Sequence, residues 1–485
     1  MAENTATVEN PNGIGLFGLV GLVVSSCIGS GVFALTGQLA AVASPGAALL
    51  GWLVTGIGFM MLALSIKNIA DKRPDINGVF TYAEEGFGPF AGFVSGWGYW
   101  LSAWLGNVAF ATMMMQTLGY FWPMFLAGNN LPCILVASVV MWALTFLVIN
   151  GVESASFINA IVMVVKVVSL IVFILFCIVL FKGGVFTADF WGTLHDNAVQ
   201  AGQLGSKAVE LGSIGHQIMG TLLITMWSFI GIEGASVVSH RAKRPSDAGK
   251  ATIIGIIVLL VVYIGASILP YGYMPYTEVA ALDKPAVLWV FNKMLPGVGG
   301  AFISIAIVIS ILGSWLSFTI LPSETTDLMA AHKLIPAKWG EHNAKNAPQF
   351  SLLIVGACTQ IFMFTLLFTQ DAYNFAFSMC TVAILVSWAF IGGYQMKLSR
   401  ELKNAGQYVI GLIAVIFIVV GGVFGGWQYL LLTCVGYVPG FFIYKKGREE
   451  AGLPVFNKYE KLAAILITVA AVIGLVLLAM GIISI

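Results

Sequence analysis

Charge is scarce in this chain. Asp, Glu, Lys and Arg make up 9% of its 485 residues, whereas soluble domains run near 25%, so a water-facing surface cannot be assembled from it. Neither sign dominates: the formal net charge is +1, which excludes the basic patch that a nucleic-acid partner would need. Six cysteines, at 27, 133, 177, 358, 380 and 434, fall in or beside apolar runs without paired spacing. They read as small hydrophobes rather than disulfides or metal ligands. HExxH, GxSxG and paired-cysteine patterns are absent from every apolar run, and His216 and His240 stand only at the ends of one. An intramembrane enzyme would therefore lack its nucleophile, base or metal, and no enzyme activity or cofactor is expected. The opening stretch Met1–Asn12 holds Glu3 and Glu9 and no lysine or arginine, so no cleavable leader is expected.

What the chain has instead is apolar length. Hydrophobic residues make up 59% of it, and its mean hydropathy is +0.94. Thirteen apolar runs fall near 13–41, 45–66, 88–122, 131–149, 156–181, 216–239, 251–273, 285–320, 350–370, 372–396, 406–425, 427–444 and 462–484. About 20 apolar residues cross a bilayer core, so the expectation is an all-α polytopic membrane protein held in a lipid bilayer. With the N-terminus cytoplasmic, eighteen lysines and arginines fall in inner loops and four, Lys182, Lys207, Lys284 and Lys293, in outer ones. That bias sets the orientation. The last run alone decides whether the C-terminus is outside.

Two runs carry glycine at mid-depth. The first contains Ser25 and Ser26 and then Ile28-Gly-Ser-Gly-Val-Phe33; the sixth contains Trp227-Ser-Phe-Ile-Gly-Ile-Glu-Gly234. Glycine loosens a helix, and a carboxylate at mid-bilayer, here Glu233, is costly enough to read as functional. Interruptions five runs apart are the mark of an inverted repeat with a site at its centre, where freed amides suit a carboxylate. A glycine-lined packing surface is the plainer alternative. The third run places Trp97, Trp100 and Trp104 within one arc, and Asn107 follows at mid-depth, needing either a helix or a ligand as partner. Lys166 lies ten residues into the fifth run. It either snorkels to the inner interface or points its ammonium at the carbonyls bared in the first run, as a fixed or titrating cation. The segment Ser323–Asp327 is placed to salt-bridge inner basic loops. His195 and Asp196, in the outer loop, read as solvated.

These motifs, with Tyr99-Trp-Leu-Ser-Ala-Trp-Leu-Gly-Asn107 and Gly313-Ser-Trp315, resemble those of basic amino acid/polyamine antiporters in the amino acid–polyamine–organocation superfamily, the bacterial arginine/ornithine antiporters above all. The resemblance covers all but the last three runs. It implies a five-plus-five inverted-repeat fold with discontinuous first and sixth helices. The parts would be a cytoplasmic tail 1–12, a first repeat 13–181, an extracellular loop 182–215, a second repeat 216–396 and peripheral helices 397–485, which would serve as scaffold or as the surface of a homodimer. It also implies exchange of arginine for ornithine in a bacterial cell membrane. Exchange of an amino acid for its decarboxylated amine, or proton-coupled uptake, remains an alternative. Substrate contacts would fall on Ser26, Ile28, Ser30, Gly31, Ala103, Asn107, Trp227, Ile230, Trp315 and Cys380, with Trp104, Trp227 and Trp315 boxing a cationic tail. Gating and coupling would fall on Tyr99, Trp104, Glu233, Trp388 and Lys166. Two positions depart from the pattern: Trp388 stands where relatives carry a gate tyrosine, and Cys380 where they carry serine. Lys166 matches a lysine that fills the sodium position of sodium-coupled relatives.

Overall fold

The computed structural model describes residues 14–76, 78–151, 155–203, 210–233, 243–369 and 371–483. The tail 1–13 and the stretch 234–242, which holds Gly234, His240 and Arg241, lie outside the described residues. Among the described residues every element is a helix.

The first apolar run forms two helices, α1 (Leu16–Cys27) and α2 (Gly31–Val42), bent by 51° across Ile28-Gly29-Ser30. Then follow α3 (Pro45–Lys72), α4 (Val79–Phe87), α5 (Pro89–Leu118), α6 (Leu131–Ile149) and α7 (Ala155–Val179). Local chemistry sets several of these starts. Pro45 and Pro89 sit in the first turn of their helices, where a missing N–H costs nothing. Asn130 accepts from the Cys133 amide at 3.0 Å to cap α6. The connection 182–215 carries two short helices, α8 (Gly183–Thr187) and α9 (Thr193–Gln200). Asp196, expected to be merely solvated, closes it by accepting from the Leu211 and Gly212 amides at 2.7 and 3.0 Å.

The second half opens with α10 (Ile214–Trp227) and continues with α11 (Pro245–Ile268), α12 (Tyr276–Ala280), α13 (Ala286–Met294), α14 (Gly299–Ala331), α15 (Gln349–Thr365) and α16 (Ala372–Glu401). After α10 its order parallels the first half: a long helix, then a nine-residue helix (α4 or α13), then a helix of 30 or 33 residues (α5 or α14). The apolar run 285–320 is thus two elements rather than one span. It breaks after Met294, where Gly297 takes a φ of 79°, a left-handed turn that glycine adopts without strain.

Two more helices complete the chain, α17 (Ala405–Glu450) and α18 (Lys458–Ala479). At 46 residues α17 would span about 69 Å, well beyond a whole bilayer. Its interruption at Gly426 divides it into the two crossings expected at 406–425 and 427–444. Nine helices are long and apolar enough to cross a membrane among the described residues, and the bent α1–α2 pair makes a tenth. The helix α5 lies along α14 and α16, and α3 along α11 and α17. On α18, Leu462, Leu466 and Val472 are exposed, an apolar surface that water would not cover stably.

Candidate functional site

The two interruptions meet at the centre of the molecule. Gly231 has φ +107°, and a Cβ there would sit 2.9 Å from the Ser26 carbonyl carbon, so any other residue would be strained and pushed off the first break. Gly31 plays the matching part: a Cβ on it would lie 2.9 Å from the Trp227 ring. Only glycine lets that indole lie on the first turn of α2, whose opening amides have no acceptor within the helix.

A break bares carbonyls, and buried carbonyls need donors. At the first break Lys166 supplies them: its Nζ donates to Ser25 O at 2.5 Å and to Ile28 O at 2.8 Å. At the second, the Tyr263 hydroxyl donates to Ser228 O at 2.7 Å, and the Cys27 thiol to Phe229 O at 3.7 Å.

Three cavities follow one another through this centre. The first, of about 370 Å³, lies on the face away from the basic loops and is walled by Gln38, Lys284, Asp371, Tyr373, Asn374 and Phe377 among others. An aromatic partition closes its floor. The Trp227 indole N–H donates to the Tyr373 hydroxyl at 3.2 Å, and that hydroxyl lies 3.4 Å from Ser30 Oγ. Phe110 and Phe377 pack on Trp227, with ring centres 6.0 and 6.2 Å away, and Phe318 meets Phe110 at 5.1 Å.

Beneath the partition is a central pocket of only about 10 Å³, lined by Tyr99, Ser102, Ala103, Ile230, Gly231, Glu233, Phe318, Leu321 and Ile384. Sites for small ligands run from about 300 to 1,000 Å³, so this one must widen to hold an amino acid. Glu233 is 1% exposed, and the side chains of Trp388 and Tyr99 approach its carboxyl. Cys380 stands behind the wall, its thiol donating to Ser102 O at 3.0 Å. Asn107 donates its amide to Phe318 O at 3.2 Å and keeps an enclosed Oδ1 without a partner. Tyr99 and Leu321 also form the ceiling of the third cavity, about 210 Å³, which reaches the basic face past Glu324 and Gly78.

That face is tied by ion pairs. Arg73 meets Asp75 at 2.8 Å and Glu85 at 3.0 Å, His332 meets Glu84 at 2.7 Å, and His342 meets Asp327 at 3.1 Å. Asp327 therefore pairs with a histidine of the inner face rather than with a lysine or arginine of the basic loops. The Arg73 guanidinium holds the Asp75 carboxyl below its ordinary range, and hydrogen bonding to Glu84 raises the His332 imidazole above its own.

Of the residues singled out from the sequence, Ser30, Gly31, Ala103, Asn107, Trp227, Ile230, Glu233, Tyr99, Trp388 and Cys380 gather around the central cavity and its partitions. Ile28 and Lys166 sit at the first break. Three stand apart. Trp104 faces Trp100 and Phe362, with ring centres 6.0 and 5.8 Å away, so it does not close a box with Trp227. Trp315 is fully buried with its indole N–H unpartnered, and it lines none of the three cavities. Ser26 turns its hydroxyl back to Leu22 O at 2.7 Å on an exposed surface. Tyr373, Phe110, Phe377 and Tyr263 were not foreseen. An aromatic in an apolar run is as compatible with lipid as with a gate, so no signal in one sequence marks them.

An all-α protein with ten candidate crossings among the described residues, whose first crossing breaks at Ile28-Gly29-Ser30 against the end of α10, is built as a secondary transporter. The chain belongs to the amino acid permease family, whose profile matches residues 14–443. It is 48% identical over 481 residues to the arginine/ornithine antiporter of Latilactobacillus sakei, covering 98% of this chain and 99% of the other. To the arginine/ornithine antiporter of Pseudomonas aeruginosa it is 37% identical over 488 residues, 98% of each chain. To the arginine/agmatine antiporter of Chlamydia caviae it is 37% identical over 483 residues, 97% of each chain.

Proposed function

We propose that this protein exchanges cationic amino acids by alternating access, arginine against ornithine, across a bacterial cell membrane with its N-terminus in the cytoplasm. One observation carries the mechanism: a small central pocket beside two helix breaks, with the Trp227–Tyr373 pair on one side and Tyr99 and Leu321 on the other. Opening the Trp227–Tyr373 partition admits ligand from the outer face, and moving Tyr99 and Leu321 releases it to the inner face. In this reading the α-carboxylate takes the opening amides of α2 at Gly31 with Ser30. The α-ammonium takes carbonyls about Ile28 and Ile230, and the cationic tail lies along Ala103 and Asn107 Oδ1 under Trp227. A desolvated cation over an indole supplies about 2 kcal/mol. Glu233 lies close enough to respond to the tail's charge, and Lys166 holds the first break in place of a coupling ion. The apolar outer faces of α17 and α18 meet lipid.

The names of the relatives support the arginine/ornithine pair. Each of those substrates carries +1, so their exchange moves no net charge and ignores a potential worth about 2.3 kcal/mol per charge per 100 mV. Arginine/agmatine exchange would move one charge per cycle and follow the potential. The test uses proteoliposomes loaded with ornithine, labelled arginine outside and a potential clamped with potassium and valinomycin. The expected result is uptake that depends on internal ornithine and not on voltage. Equal uptake into empty vesicles refutes obligatory exchange, and uptake driven only by internal agmatine moves the protein to the other pair.

A further inference from the structure

The outer cavity contains a polar relay that the central site does not use. Lys284, between α12 and α13, donates to Asp371 Oδ2 at 2.5 Å. Asn374 Nδ2 donates to the same oxygen at 2.7 Å, and Gln38 Nε2 donates to Asn374 Oδ1 at 2.8 Å. All four residues line the cavity. The relay ends on an unmet need: Gln38 is 7% exposed, and its Oε1 is enclosed without a hydrogen-bond partner. At its other end the Lys284 and Asp371 side chains are 37% and 45% exposed. An ion pair that wet contributes little and exchanges partners readily.

We infer that this cavity is a second, outer binding site that receives an α-amino acid with a cationic side chain and rejects the corresponding amine without a carboxylate. The geometry offers one cation and two acceptors. The ligand's carboxylate takes Lys284 Nζ, while its guanidinium or ammonium donors take Asp371 and Gln38 Oε1. Arginine and ornithine answer both ends at once. Agmatine brings two cations and nothing for Lys284, so it meets like-charge repulsion where the amino acid finds a partner. Tyr373 and Phe377 line the same cavity and pack on Trp227 or hydrogen-bond to it, which places a ligand seated there directly over the partition it must pass. The site sorts substrates before they reach the centre. It rests on the reading that the substrates are cationic amino acids.

The experiment compares Lys284→Gln and Asp371→Asn with wild type in ornithine-loaded proteoliposomes, with agmatine as competitor of labelled external arginine. Both side chains are more than a third exposed, so folding should survive, and gel filtration with thermal melting checks it. Lys284→Gln should raise the KM for arginine and strengthen inhibition by agmatine, each by about fivefold. Asp371→Asn should weaken both ligands by about the same factor, and Lys284→Arg should stay near wild type. A pair that only ties the fold together is broken equally by either change. Arginine and agmatine shifting by one common factor in both variants would therefore overturn the outer site. Calorimetry with the same detergent-purified proteins reads the same pattern without turnover. Loss of ornithine-dependent uptake in wild type then refutes the exchange reading alone, while calorimetry still decides the outer site.

Discussion

The two helix breaks solve one problem with different chemistry. At the first, a buried ammonium reaches across from α7 and bonds two carbonyls at once. At the second, the carbonyls of Ser228 and Phe229 are met by two neutral donors from two different helices, Tyr263 at 2.7 Å and Cys27 at a weaker 3.7 Å. A charged donor forms hydrogen bonds roughly twice as strong as a neutral one. The first break is thus pinned by a single strong clamp, while the second is held by two weak ones and by contact with Ser26 through Gly231. The second also carries Glu233 and Trp227, the residues that face the cavity and its partition. The first break reads as the fixed jaw and the second as the moving one, released by small changes in neutral contacts.

Removing the clamp should have the largest effect. Lys166→Leu leaves Ser25 O and Ile28 O without donors, at about 1–3 kcal/mol each, less the relief of no longer burying a charge. We expect exchange to be abolished and the melting temperature in detergent to fall, with arginine no longer restabilising the protein. The wild-type protein should exchange at the same rate when sodium replaces potassium. Stimulation by sodium would show that the lysine does not stand in for an ion. Next in size is Gly231→Ala. Its cost combines a left-handed backbone, of order 1–3 kcal/mol, with the clash against Ser26. Because that contact couples the jaws, transport should fall by at least about tenfold, more than arginine binding does. Calorimetry beside initial rates separates the two, and an equal loss in both would mean that the contact is merely structural.

The first break is legible in the sequence. A lysine ten residues into an apolar run must find oxygen, and glycines at Gly29 and Gly231 announce where carbonyls come free. The helical class and most span positions followed from run length alone. The donors at the second break did not. Tyr263 and Cys27 look like ordinary lipid-compatible residues until the fold sets their oxygen and sulfur against Ser228 and Phe229. The run 285–320 failed for a related reason: a short surface helix and a crossing are equally apolar, and only the turn at Gly297 separates them. Trp104 failed because helical spacing shows which residues share an arc and not what that arc faces. Its arc turns to Phe362, away from Trp227.

The smallest effect tests the neutral clamp directly. Tyr263→Phe removes one hydroxyl and keeps the ring, which packs on Trp52 and Phe229 at 6.1 and 5.4 Å. The loss should stay near 1 kcal/mol for one neutral hydrogen bond, about the typical net value. That should lower the melting temperature by about 2 °C and leave arginine affinity nearly intact. If the second break is the moving jaw, a looser clamp should change the rate of exchange more than the affinity. Cys27→Ala should do the same more weakly, since a thiol at 3.7 Å is a poor donor. The expected order of loss is Lys166→Leu, then Tyr263→Phe, then Cys27→Ala. If Tyr263→Phe destroys transport as completely as Lys166→Leu, the two breaks are held alike and the distinction between fixed and moving jaw is lost.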